Sequence, residues 1–297
     1  MQKTYKIPYR KDKWADEVRI YWPLIGANKN IYSASLIMGK PAPNPYQVEE
    51  LKKTEWEIRI IESAHHHFNN LRNSLHLKPH NFSLDRFHIL EPENFEKHIN
   101  EDGRTAGECK DGHVFLVRGK DRVRFICDLT HELAHLYAYR TVLIWFTNEV
   151  VNYKSVHDGL RRNFYRSKKG EGLNEAVTEI IGHIVRTRMC DDNCGISSPE
   201  KMRVHRSWVY LPQTEVVDAV IDTLDPKRQP VIDCLFTDYF CGTDQFFQLL
   251  YRKMPGTAAI LRSMGIKSED ALSTAKKLKM SDLVQRIEKM IASRAEQ

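Results

Sequence analysis

The chain has no run of about 18 consecutive apolar residues, so nothing in it reads as a transmembrane helix. Its opening stretch, MQKTYKIPYRKDKWADEV, lacks the apolar segment of a secretory signal, and the expected location is cytoplasmic with no membrane partner. Six cysteines in 297 residues are too few for a disulfide framework. Cys109, Cys127, Cys234 and Cys241 lie in or beside apolar runs and read as buried thiols. Cys190 and Cys194 form a C-x3-C pair in MCDDNCG, read as free thiols in a turn. A second metal there would need His183 and His205 as further ligands. No helix-turn-helix, zinc-finger or RNA-recognition signature is present. The net charge of +6 is mild, so no nucleic-acid partner is expected. Arg161, Arg162, Arg166, Lys168 and Lys169 form the densest cationic segment, read as a solvated loop or, alternatively, a rim attracting acidic substrate.

What is present is an ordinary globular composition, with 41% hydrophobic and 28% charged residues, in a chain long enough for one large domain or two. Residues 1–45 are irregular by pattern and end in the breaker PAPNPY. From about Gln47 to Leu75, apolar residues recur at three- and four-residue steps (Val48, Leu51, Ile58, Ile61, Ala64, Phe68, Leu71), which predicts a helix. His65, His66 and His67 inside it point in three directions and read as polar-face residues, one of them half-buried. RFHIL and HVFLVR read as strands. After Pro199 the pattern is uniformly helical and closes on SDLVQRIEKMIASR, with Leu283, Ile287 and Ile291 on one face. The expected division is an irregular segment 1–45, a catalytic core 46–198 and a helical lobe 199–297.

Two blocks carry the chemistry. In FICDLTHELAHLYAYR, His131 and His135 are four residues apart, which on a helix places them about 40° apart around the axis and about 6 Å along it. Both imidazoles then project from one face and can share a zinc ion, while Glu132, just off that face, is placed to act as a base on a water beside the metal. The predicted helix runs from about Phe125 to Tyr153, and a polar, basic linker follows over 154–171. The second block, GEGLNEAVTEIIGH, predicts a helix over about Leu173–Met189, entered through Gly170 and Gly172. Glu175 is the candidate third ligand. Glu179, one turn on along the same face, is placed to accept the spare ring N–H of a ligand histidine and fix its tautomer.

HELAH followed by LNEAVTE resembles the gluzincin group of zinc metallopeptidases over roughly residues 113–185, with a 39-residue spacer between His135 and Glu175 that is longer than in its relatives. The resemblance implies an α+β, zincin-like fold, with a small sheet over two zinc-binding helices and an all-α C-terminal lobe. It implies that HVFLVR is the sheet edge above the site, where an extended peptide adds by main-chain hydrogen bonds; the alternative reading of this segment is a plain internal strand. It further implies Zn2+ on His131, His135 and Glu175, Glu179 in support, and Glu132 as the general base of peptide-bond hydrolysis. Gluzincins often take an oxyanion donor from outside the metal helices; the first candidate is Tyr210, with His205 and Tyr165 as runners-up. The partner expected is a peptide or protein substrate. The alternative is a degenerate zincin that binds a peptide without cutting it.

Overall fold

The computed structural model describes residues 2–6, 17–21, 48–99, 105–110, 112–119, 121–147, 150–164, 167–192 and 195–295. PAPNPY, Tyr165 and Cys194 lie outside them. The described residues form a mixed α+β structure that is mostly helical. Contacts divide the chain into one unit of Met1–Ser155 with Ile181–Ser207 and another of Val156–Ile180 with Trp208–Gln297.

In the first unit, strands β1 (Gln2–Lys6) and β2 (Glu17–Tyr21) pair antiparallel, so the N-terminal segment is not irregular throughout as its pattern suggested. Helix α1 (Glu55–Ser74) begins later than the periodicity predicts. The reason is local. The Thr54 side chain accepts the Glu57 amide at 3.2 Å and the Glu57 carboxylate accepts the Thr54 amide at 2.6 Å, a capping box that starts the helix there. Val48, ahead of that start, still reaches the core and packs with Leu90, Phe95, Ile99 and Phe115.

Strand β3 (Phe87–Leu90), helix α2 (Pro92–His98), strand β4 (Gly107–Lys110) and strand β5 (His113–Val117) follow. They include a three-stranded sheet of order β3-β5-β4, with β3 parallel and β4 antiparallel to β5. The sequence reading made HVFLVR the sheet edge, but the structure puts β5 in the middle and β4 at one edge. Burial accounts for the difference: His113, Val114, Phe115 and Leu116 are all buried, so this strand is covered on both faces and reads as a continuous apolar run.

Helix α3 (Arg122–Tyr137) carries the first motif, with the Asp121 side chain accepting the Val123 amide at 3.0 Å as its cap. Helices α1 and α3 run side by side in the same direction. Trp56 meets Phe125 at 5.4 Å between ring centroids, and twelve residues further along both helices Phe68 stacks on Tyr137 at 4.8 Å. That is about 18 Å of shared contact, enough to hold a helix straight. The Tyr137 hydroxyl lies 2.8 Å from His65 Nδ1, and His67 is buried against Asp192.

Helix α3 ends at Tyr137, well short of the expected Tyr153. Arg140–Thr147 is strand β6, parallel to β2, and Val150–Asp158 is strand β7. The run TVLIWFT is β-branched and aromatic, which favours a strand, and an apolar run alone does not distinguish the two states. Within the second unit the end of β7 pairs antiparallel with β8 (Arg161–Phe164), which pairs with β9 (Ser167–Lys169). The cationic stretch read as a loop is therefore largely β-structure.

Helix α4 (Glu171–Asp191) carries the second motif. Helix α5 (Ser198–Arg206) completes the first unit, and Arg203 of α5 pairs with Asp121 at the cap of α3. The second unit continues with α6 (Leu211–Leu224), α7 (Gln229–Cys241), α8 (Gln245–Lys253), α9 (Thr257–Arg262), α10 (Ser268–Lys277) and α11 (Ser281–Ala295). Val216, Val217, Val220, Leu235, Phe246, Leu283 and Ile287 are among its buried core residues. Buried Asp238 accepts the Gln245 amide at 2.8 Å and the Phe246 amide at 2.9 Å, capping α8 from α7. Among the described residues no helix is long and apolar enough to cross a membrane. Cys127 and Cys190 are buried and Cys109, Cys234 and Cys241 half-buried; Cys190 lies in α4 rather than in a turn.

Arg118 closes the start of α1 over the small sheet. Its guanidinium donates to both oxygens of Glu57, at 2.8 and 2.7 Å, and to the Lys52 carbonyl at 2.7 Å. Burial works against ionisation of Glu57, but the Arg118 and Thr54 hydrogen bonds outweigh it and hold the carboxyl below the usual glutamate range. A lowered carboxylate pKa contributes stability above the ordinary glutamate value and loses it as pH falls through the folded value. Glu57→Gln is expected to cost about 2 kcal/mol at pH 7, with the gap closing on acidification. Urea unfolding of both proteins at pH 7 and near pH 3 checks this, and equal stability at pH 7 would contradict it.

Candidate metal centre

The first motif is held on a buried stretch of helix. Thr130 is fully buried, and His131 and Glu132 are 8% and 9% exposed. The Thr130 hydroxyl donates to the Ile126 carbonyl at 2.9 Å, so it has a partner inside α3 and needs none from outside. His131 and His135 present rings 5.0 Å apart at an interplanar angle of 76°. Past His135 the helix stops at Ala138, and buried Arg140 donates to the His135 carbonyl at 3.4 Å. A guanidinium at that end satisfies a terminal carbonyl and complements the helix dipole.

Helix α4 meets α3 through a residue that the sequence reading passed over. A methyl group added to Gly182 would lie 3.2 Å from the Thr130 carbonyl oxygen and 3.4 Å from the His131 amide nitrogen. The backbones are thus nearly in contact at the first histidine, which only glycine at that position allows without displacement.

His131, His135 and Glu175 each offer one ligand atom, and these atoms lie within 4.8 Å of one another. Among the described residues they are the one such group of histidine, cysteine, aspartate or glutamate. His131 is buried, while His135 and Glu175 are half-buried, so the group reaches solvent on one side. Four tetrahedral ligands at about 2.0–2.1 Å sit roughly 3.3 Å apart, so small side-chain rotations close the group on an ion. Two imidazoles and one carboxylate are a donor set that suits a divalent transition metal.

Glu179 is 1% exposed, and its carboxylate accepts the Val209 amide at 3.4 Å. That hydrogen bond ties the turn before α6 to α4 within the second unit. Tyr210 follows directly. It is half-buried, it is the N-cap residue of α6, and its carbonyl accepts the Thr214 amide at 2.9 Å. His205 is exposed on α5.

Two more residues shape the surroundings of Glu132. Strand β4 crosses α3 at Gly107, where a methyl group would lie 2.9 Å from Glu132 Cγ and 3.4 Å from Asp128 Cβ. A glycine inside a strand is the sequence signal for such an approach, and TAGECK carries it. Asp128 lies one helical turn before Glu132. Burial pushes its carboxyl up to about 6; Arg124 draws it back down and the Glu132 carboxylate adds to the rise. Comparisons of the chain with protein-family models, with curated proteins and with solved structures found no match.

If the group holds a metal, Glu175→Ala removes one of three ligands. After dialysis against chelator and reloading with one equivalent of zinc, the variant should retain well under one ion per chain by elemental analysis. Gly182→Val should weaken binding at least about tenfold by pushing α4 off the backbone next to His131, although it removes no ligand. Unchanged stoichiometry in Glu175→Ala would remove Glu175 from the group.

Proposed function

We propose that the chain is a zinc-dependent metallopeptidase of gluzincin type. The observation that supports this reading is the convergence within 4.8 Å of Glu175 of α4 with His131 and His135 of α3, the helix that also carries buried Glu132. His131, His135 and Glu175 would hold the zinc. When bound, the ion supplies Lewis acidity, lowering the pKa of a water and polarising a substrate carbonyl.

The chain's own residues do the rest. Glu132 takes a proton from the attacking water and delivers it to the leaving nitrogen as the carbon–nitrogen bond breaks. Its burial and its contact with β4 at Gly107 keep it in a narrow range of positions, which a base acting twice requires. Glu179 accepts the spare ring N–H of a ligand histidine and fixes its tautomer and orientation. Tyr210, set beside Glu179 by the Val209 hydrogen bond, is the candidate donor to the oxyanion that develops on the substrate carbonyl. The open side of β4, at the edge of the three-stranded sheet, is the surface along which an extended peptide would lie.

Removing one carboxylate separates a peptidase from a fold that only binds. Glu132→Gln should keep one zinc per chain and bind peptide, yet cleave a mixed peptide library at least about 1000-fold more slowly than wild type. Tyr210→Phe should lower kcat with little effect on KM. Mass spectrometry of the digests reads both. Full activity in Glu132→Gln would overturn the assignment of the base, and no zinc-dependent cleavage by wild type would overturn the peptidase reading.

A further inference from the structure

A cavity of about 450 Å³ lies in the first unit against the opening turns of α3. Its floor is aromatic and apolar, from Phe95 of α2, Phe125 of α3 and Val117 of β5. Its charged lining includes Glu96 of α2 and Arg124 and Asp128 of α3. The inner end is set by Asp128, one turn before Glu132 on the same helix. Gly107 of β4 lies against both side chains, so the Asp128 end of the cavity is one close contact away from the proposed base.

The charges in this lining are unequal in standing. Asp128 is 22% exposed, while its partner Arg124 is 64% exposed and reaches it only at 3.6 Å. A pair that loose and that wet is weak, so Arg124 can move into solvent at little cost. Asp121, also on the wall, is occupied by Arg203. Among the described residues Glu96 has no ion-pair partner, and it is exposed at the rim. A ligand therefore meets an aromatic throat with a recessed carboxylate at one end and a second carboxylate at the mouth.

We propose that this cavity is a specificity pocket for a long cationic side chain, lysine or arginine, of the substrate. The alkyl stem lies against Phe95 and Phe125, and the cationic head replaces Arg124 as the partner of Asp128. The volume accommodates such a side chain with water around its head. The proposal rests on the peptidase reading for the word substrate, but the binding of a cation to the cavity stands apart from catalysis.

The test uses the full-length, zinc-loaded protein and two probes of equal length, N-acetyl-lysine amide and N-acetyl-norleucine amide. Titration by NMR or calorimetry should show the lysine probe binding at least about tenfold more tightly than the norleucine probe. Asp128→Asn should erase most of that advantage, and Glu96→Gln, a change on an exposed helix position that leaves α3 intact, should reduce it. In parallel, a peptide library should show the ratio of kcat/KM for lysine- over norleucine-containing peptides falling by a similar factor in both variants. Selective lysine binding without any peptide cleavage supports the cation pocket and overturns the peptidase reading. Cleavage by wild type together with equal binding of the two probes overturns the pocket alone. A lysine advantage that survives both substitutions also overturns it.

Discussion

Three side chains on two helices can share one small ion only if those helices pack within side-chain reach, and a glycine at the crossing lets them approach most closely. Gly182 meets that condition against the Thr130 carbonyl. The fold around it repeats the pattern of glycine at a crossing point. Gly107 brings β4 onto Glu132, and in the second unit Gly172 lies so close to the Gly265 carbonyl that a methyl group there would overlap it. At Gly182 and Gly172 the close approach is between backbones, which do not change rotamer. Geometry set in this way is less exposed to side-chain motion than geometry set by packing of long residues.

The residues of the candidate group were more legible in the sequence than the architecture that brings them together. Helical spacing is a property of the chain itself, so H-E-x-x-H and N-E-x-x-x-E could be read as two faces that each present ligands. The structure brings His131, His135 and Glu175 together, and α4 extends only two residues beyond its predicted span at each end. Other features depended on partners distant in sequence. Nothing in TVLIWFT says that it pairs with residues 17–21, and so the first helix was extended through it. Burial on both faces makes a strand look like any apolar run, and so β5 was assigned to the edge that β4 occupies. Gly107, Gly182 and Asp128 were not singled out because a glycine or an aspartate acquires its role only from what the fold sets opposite it.

The long spacer between the two motifs acquires a physical meaning from the structure. Its described residues include strands β6, β7, β8 and β9, a β-excursion between the two helices. At its far end, Leu160 donates its amide to the Asn174 side chain at 2.8 Å, and the Asn174 amide bonds to the Gly170 carbonyl at 2.8 Å. Asn174 precedes Glu175. The asparagine of the N-E pair thus fastens the turn at the end of β7 to the first turn of α4, a structural duty next to the proposed ligand.

The first turn of α4 has a second attachment. The Gly170 amide donates to the Arg262 carbonyl at 2.8 Å and the Gly172 amide to the Met264 carbonyl at 3.0 Å, so the segment after α9 grips the helix start like a clasp. The Gln213 side chain fixes the next stretch by donating to the Ile266 and Lys267 carbonyls at 2.7 and 2.9 Å. A chain cut ahead of residue 262 would keep all three candidate ligands in its covalent sequence and still lose hydrogen bonds that fasten the first turn of the helix carrying Glu175. Residues far along the chain thus help to place the helix that carries Glu175, although they contribute no atom to the candidate group.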